Sequence, residues 1–277
     1  MCRLFGLTAG TARVRATFWL LDAPDSIEVQ SRRNADGSGI GFFDAAGSPV
    51  LDKQPEPAFS DEEFIHEARQ AESATFVAHV RLATSGGRTL ANTHPFAMDG
   101  RIMAHNGGFG ELWRIDAQLG ARRRLVLGDT DSERYCALIT QQADAHGGDV
   151  AAGIAAAATW IAANLPVAAL NAVVTSRDEL WALRYPGTRA LHVLERPGRP
   201  AGGLHVRNSM SSVHAPDAPP CVVVASERLD GETGWRMLAP GELVHIGPDL
   251  RVHAAVVIAA PPARTLRPGG ENPNIDT

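Results

Sequence analysis

Cysteine is scarce in this chain: Cys2, Cys136 and Cys221 are the only three in 277 residues, with no CxxC spacing. A zinc cluster or a disulfide framework therefore has no support, and so few unpaired cysteines suit a reducing compartment. Positive charge is short as well. Lys and Arg total 26 against 31 Asp and Glu, a formal charge of -5. Nucleic acid and anionic membranes need a positive field that this composition does not supply. The run Arg122-Arg123-Arg124 is too brief to change that and reads as a solvated loop edge. Long apolar runs are missing too. The longest, Val150 to Ala163, contains Gly153 and Thr159 and is too short to span a bilayer. The N-terminus lacks a basic region followed by an apolar stretch and a cleavage site, so no secretory signal is expected. No repeat period is visible. What remains is a soluble, cytoplasmic protein with no membrane or nucleic-acid partner. Its composition, 44% apolar and 21% charged, is ordinary for a globular chain, and its length permits a sizeable core.

The chain divides by pattern. Cys2 to Thr8 reads as a buried strand, and a helix is expected to start near Ser26. The glycines of Gly37-Ser38-Gly39-Ile40-Gly41 lead into a strand, Ile40 to Phe43, instead of opening a helix, which disfavours a dinucleotide site. Val50 to Gln54 is expected to pair with it. Ser60 followed by Glu63 predicts a capped helix to about Ala71. Thr75 to Arg81 alternates as a strand that delivers His79 and Arg81 on one face. Arg101 to His105 is a further strand, ending at Asn106-Gly107-Gly108-Phe109. Helices are expected over Asp131 to Ala145 and Val150 to Asn164, the latter stopped by Pro166. Beyond Leu170 come short strands: Ala172–Thr175, Glu179–Arg184, Leu191–Leu194, His205–Arg207, Val222–Ser226, Glu242–Ile246 and Arg251–Val257. With helices in the middle and strands at both ends, the order fits two sheets with helices outside, an α+β layered domain over residues 1–260. Residues 261–277, rich in Pro, Gly and polar side chains, read as a flexible tail.

Cys2 is the chemically distinctive residue. Once Met1 is removed, a thiol and a free α-amine sit on one residue, a nucleophile with its base built in. Taken alone, a cysteine in a buried first strand is more often structural. Four polar stretches downstream weigh against that reading: His79-Val80-Arg81-Leu82-Ala83-Thr84, Asn92-Thr93-His94-Pro95-Phe96, Ala104-His105-Asn106-Gly107-Gly108 and Gly128-Asp129-Thr130-Asp131-Ser132-Glu133. Each lies at the end of an expected strand or helix, where sites are commonly built.

With Cys2 at their head and in this order, the four stretches resemble the class II glutamine amidotransferases of the N-terminal-nucleophile superfamily. The stand-alone branch that begins Met-Cys-Arg, and includes the γ-glutamyl amidohydrolase of ergothioneine biosynthesis, is the most similar. The resemblance covers Cys2 to about Val257. It implies a four-layer αββα sandwich and an amidohydrolase that cleaves a γ-glutamyl amide through a Cys2 thioester. By the same resemblance Asn106 (side-chain amide) and Gly107 (backbone N–H) form the oxyanion donors. Arg81 clamps the substrate α-carboxylate, Asp131 pairs with its α-ammonium, and Thr84 and His94 line the pocket. His94 need not titrate, since a neutral, hydrogen-bonded loop histidine would serve equally well, and Asn34-Ala35-Asp36-Gly37 is expected as a scaffold turn close to the nucleophile. No metal or organic cofactor is required. The partner is a small-molecule γ-glutamyl substrate. Two fates of the amine stay open: release, with water taking the glutamyl group, or transfer of ammonia to a separate synthetase chain. The leaving amine itself has no recognisable code.

Overall fold

A computed structural model describes residues 2–83, 86–198 and 219–266. Among them, two sheets of seven strands stack face to face. The first sheet holds β1 (Arg3–Thr8), β2 (Ser38–Phe43), β3 (Pro49–Gln54), β4 (Thr75–Val80), β9 (His192–Arg196), β10 (Cys221–Ala225) and β11 (Arg236–Met237), in spatial order β11-β9-β10-β1-β4-β2-β3. The second holds β5 (Phe96–Met98), β6 (Arg101–Phe109), β7 (Pro166–Thr175), β8 (Leu180–Leu183), β12 (Glu242–Ile246) and β13 (Val252–Val256), in order β13-β12-β8-β7-β6-β5. A short β14 (Arg264–Thr265) adds to β7 in parallel, while the other pairs are antiparallel. Helices α1 (Ile27–Ser31) and α2 (Glu62–Gln70) cover the first sheet; α3 (Leu112–Leu119), α4 (Asp131–Ala145) and α5 (Val150–Asn164) cover the second.

Alternation along the strands makes this a layered object, because successive side chains leave opposite faces. On β1, Phe5 and Leu7 enter the core beneath Trp19, Ile27 and Phe64, whereas Leu4 enters the core between the sheets. On β6, Met103 packs with Ile139 and Ile161 of α4 and α5, while Ile102 and Ala104 face inward. The described residues thus form an outer core on each side and one between the sheets, as four layers αββα demand. Gly6 permits the close approach of β1 and β7: a Cβ there would lie 2.6 Å from a Val173 methyl.

Several local details differ from the sequence reading. The cap of α2 is Asp61, whose carboxylate accepts from Glu63 and Phe64 N–H at 3.1 Å each, and not Ser60. An aspartate one residue closer reaches the same orphan donors. Strand β6 runs through Asn106-Gly107 to Phe109, and β7 starts at Pro166, earlier than Ala172. Each finds its ladder partner in the other, with Asn106 opposite Asn171. The eight-residue α3 lacks a strong local signal and was not anticipated. The Arg122–Arg124 run forms a 3₁₀ turn, with Arg122 on Asp144 and Arg123 on Asp116. The expected strand His205–Arg207 lies outside the described residues, as does the chain beyond 266. Of the stretch expected as a tail, Arg264 contacts Glu111 and the Asn164 carbonyl.

Candidate active site

The inward-facing series on three strands share an apolar beginning and a polar end. On β1, Gly6 and Leu4 lead back to Cys2; on β4, Val77 and His79 lead to Arg81; on β6, Ile102 and Ala104 lead to Asn106. Leu4 pairs with His79 and Arg3 with Val80 across β1 and β4, so one residue beyond the last of these pairs the antiparallel register sets Cys2 opposite Arg81.

The half-buried Cys2 sulfur lies against the Leu82 backbone, donating to its carbonyl at 3.4 Å and accepting from its N–H at 3.3 Å. Burial pushes the thiol pKa up; the Leu82 hydrogen bond and the positive charges of Arg189 and Arg81 act against that shift. Burial pushes Cys136 and Cys221 up to about 12 and about 11, with Arg101 and Lys53 near the first and Arg196 near the second offsetting only part of it. Neither is set to act as a thiolate at neutral pH.

Asn106 is held at both ends of its amide. Its Nδ2 donates to the Cys2 carbonyl at 2.8 Å, and its Oδ1 accepts from the Arg189 guanidinium. The Asn-Gly dipeptide is no turn here but strand. Gly107 sits opposite Leu170, where a Cβ would fall 2.0 Å from the Ala169 carbonyl oxygen. Only glycine tolerates that approach.

Arg81 is buried, its guanidinium donating to the carbonyls of Gly87 at 3.1 Å and Gly86 at 3.4 Å. Burial lowers its pKa, with the charges of Cys2, Asp36 and Asp131 opposing. Its backbone is stitched to the turn that precedes β2: Arg81 N–H donates to the Gly37 carbonyl at 2.7 Å, and Asp36 N–H to the Arg81 carbonyl at 2.9 Å. The Asp36 carboxylate accepts from Ala83 N–H at 2.8 Å. That turn holds the strand end in place.

Asp131 opens α4, with Thr130 as its cap. Its carboxylate accepts from Phe109 N–H at 3.1 Å and Ser132 N–H at 2.9 Å, which binds the helix start to the end of β6. Asn92 ties the loops together, accepting from Asp129 N–H at 2.8 Å and donating to the Gly87 carbonyl at 3.2 Å. His105 props the same corner: Nε2 lies 3.2 Å from the Ala169 carbonyl and Nδ1 2.9 Å from Ser132 Oγ. Facing a carbonyl, Nε2 carries the proton, which leaves Nδ1 to accept from the serine.

His94 differs from expectation. Its ring stacks on His79 at 4.0 Å between centroids and meets Phe96 edge-on at 4.7 Å, and neither ring nitrogen has a hydrogen-bond partner among the described residues. Burial drives its pKa far down, so the ring is neutral. Thr84 lies outside the described residues. Cys2, Arg81, the adjacent pair Asn106-Gly107 and Asp131 thus converge from four separated points in the chain. Arg189 joins them and was not anticipated: no motif surrounds it, and its approach to Asn106 spans 83 residues.

The family model of the class II glutamine amidotransferases matches residues 1–259. The chain belongs to this family. It is accordingly an enzyme of the amidotransferase type, acting on carbon–nitrogen amide bonds. Among curated members, a gamma-glutamyl-hercynylcysteine sulfoxide hydrolase of Mycobacterium tuberculosis is 30% identical over 258 residues, covering 89% of this chain and 93% of that protein. Its counterpart in Mycolicibacterium smegmatis is 27% identical over 238 residues, covering 82% and 88%. Solved structures agree on the fold. A glutamine aminotransferase class-II domain protein of Silicibacter pomeroyi superposes with a TM-score of 0.61 at 21% identity, covering 92% of this chain and 98% of that one. Glutamine phosphoribosylpyrophosphate amidotransferase of B. subtilis gives 0.63 at 18%, covering 94% of this chain and 50% of the longer enzyme. This class II amidotransferase chain therefore shares a four-layer αββα sandwich with those amidotransferase structures. No helix among its described residues is long and apolar enough to cross a membrane.

Proposed function

We propose that this chain hydrolyses γ-glutamyl amides, with Cys2 as the nucleophile once Met1 has been removed. The observation that carries the reading is the hydrogen bond from Asn106 Nδ2 to the Cys2 carbonyl, which sets an amide donor beside the sulfur at the buried end of the strands. A raised thiol pKa makes a built-in base more necessary, and the α-amine of Cys2 supplies one. The amine takes the thiol proton as the sulfur attacks the γ-carbonyl carbon, and the C–N bond breaks as that proton passes to the departing amine. Water then attacks the thioester, gives its proton to the α-amine, and frees glutamate and the thiol. Asn106 and the Gly107 N–H stabilise the oxyanion in both halves. Arg81 receives the substrate α-carboxylate and Asp131 its α-ammonium, opposite charges fixed at opposite sides of one pocket. The curated relatives named for γ-glutamyl hydrolysis support this substrate class over free glutamine.

The test is turnover of a panel of γ-glutamyl amides, glutamine included, by the purified chain alone, read by mass spectrometry. A glutamine-like electrophile should acylate Cys2, and the intact mass should lack Met1. Acylation of Cys136 or Cys221 instead would reject the assignment. Turnover that appears only when a second chain is added would favour a glutaminase subunit that passes ammonia on.

A further inference from the structure

Arg189 has no part in the reading above, yet it reaches the Asn106 amide at the centre of that chemistry. The loop that carries it, between β8 and β9, is pinned from below. Arg184, itself buried, donates through Nε to the Arg189 carbonyl at 2.7 Å, through Nη1 to the Leu238 carbonyl at 2.6 Å, and through Nη2 to the Gly187 carbonyl at 3.0 Å. Asn171, fully buried on β7, donates to the Ala190 carbonyl at 3.0 Å and accepts from Tyr185 N–H at 3.1 Å. Thr188 Oγ adds a bond to the Ala168 carbonyl at 2.8 Å. Two buried side chains thus hold a surface loop rigid, and the result is one guanidinium delivered to the oxygen of the Asn106 amide.

An asparagine amide has two N–H donors and one oxygen, and its two ends are nearly equal in size. Asn106 uses one N–H on the Cys2 carbonyl. If its oxygen faced the reacting carbonyl, an acceptor would meet a developing anion, so the direction of this amide decides whether the site helps or hinders. A guanidinium only donates, so the amide end that faces Arg189 has to be the oxygen. The second N–H of Nδ2 then remains for the oxyanion. A charged donor on the oxygen also polarises the amide and strengthens that N–H.

Resting on the hydrolase reading, we infer that Arg189 is a positioning residue. It acts through Asn106, orienting and polarising the amide that stabilises the oxyanion, without touching the substrate glutamyl group.

The experiment is a double-mutant cycle on the full chain with a γ-glutamyl amide that the wild type turns over. R189M should lower kcat about tenfold or more, while KM stays within about threefold. In the N106A background the same change should add little, since the residue acted upon is gone. R189K, which keeps a charged donor, should recover part of the loss. An equal loss from R189M with and without Asn106 would overturn the inference, as would wild-type kcat or an effect on KM alone. A second readout needs no turnover: the Asn106 side-chain amide resonances, assigned by their absence in N106A, should shift in R189M and move back toward wild type in R189K. Unchanged resonances would sink the proposal. If the wild type cleaved no γ-glutamyl amide, the hydrolase reading would fall, and the resonances would still judge whether Arg189 governs Asn106.

Discussion

The layer between the two sheets is apolar along most of its length and polar at one end, and the same strands build both. In the apolar part Leu4, Val77, Ile102, Val173 and Leu180 meet with no direction preferred among their contacts. Their requirement is volume, and cores accept any close-packed solution of about the right size. At the polar end the inward series finish at Cys2, Arg81 and Asn106, and there each donor needs one acceptor in one place. The lesson is that a site can be a core continued by two residues, with shape complementarity exchanged for hydrogen-bond bookkeeping.

Substitutions that separate rate from stability sharpen this contrast. The largest effect should come from Cys2→Ala, which removes the nucleophile. Turnover should drop by about 10⁴-fold or more while the thermal midpoint stays close to wild type. Asn106→Ala should cost about 10²–10³ in kcat, as loss of one oxyanion donor does elsewhere, measured with KM in the same assay. In the apolar part the pattern should invert. Leu180→Ala, fully buried between the sheets, should cost about 2–5 kcal/mol in urea unfolding yet leave kcat near wild type. A Leu180→Ala variant that lost activity in proportion to stability would break the distinction between the two parts.

The smallest expected effect concerns pH. Burial lowers the pKa of His79 to about 3, and holds His94 well below its ordinary value and His105 below it too. These rings are neutral in the folded chain and take up protons when it unfolds below the ordinary histidine value of about 6.5. The unfolded state then binds more protons, so stability falls as pH drops, by up to about 1.4 kcal/mol per unit for each histidine. For His79 the loss continues toward its folded value of about 3. Thermal midpoints measured from pH 7 down to pH 5 should fall, and His79→Phe should flatten the slope. A slope unchanged by that substitution would show that other groups carry the pH dependence.

Much of this arrangement is legible in local pattern. The bounds of α4 and α5 match the local reading, the first following the turn Gly128-Asp129-Thr130 and the second an alanine-rich run stopped by Pro166; Thr130 and Asp149 accept from the first turns. Alternation on β4 places His79 and Arg81 together. What escaped local reading has a common cause. Asn106-Gly107 has the composition of a turn, yet a partner strand more than 60 residues away pulls it into a ladder. Asp61 displaced Ser60 as a cap, its carboxylate accepting from Glu63 and Phe64 N–H while the Ser60 hydroxyl donates back to the Pro57 carbonyl. His94 reads as a polar loop residue, and the ring of His79 beneath it is what turns it into a core side chain.

Sequence alone determined most of the strands and helices, α3 and the end of β6 excepted, and which polar residues fall at their ends, because propensity and side-chain periodicity act over a few residues. Tertiary structure decided which of those ends meet: that the Cys2 sulfur rests on Leu82, that Asn106 faces the Cys2 carbonyl, and that Arg189 reaches the Asn106 oxygen. Such contacts depend on sheet stacking and on loops pinned by buried groups like Arg184 and Asn171. No short-range pattern in the chain carries that information.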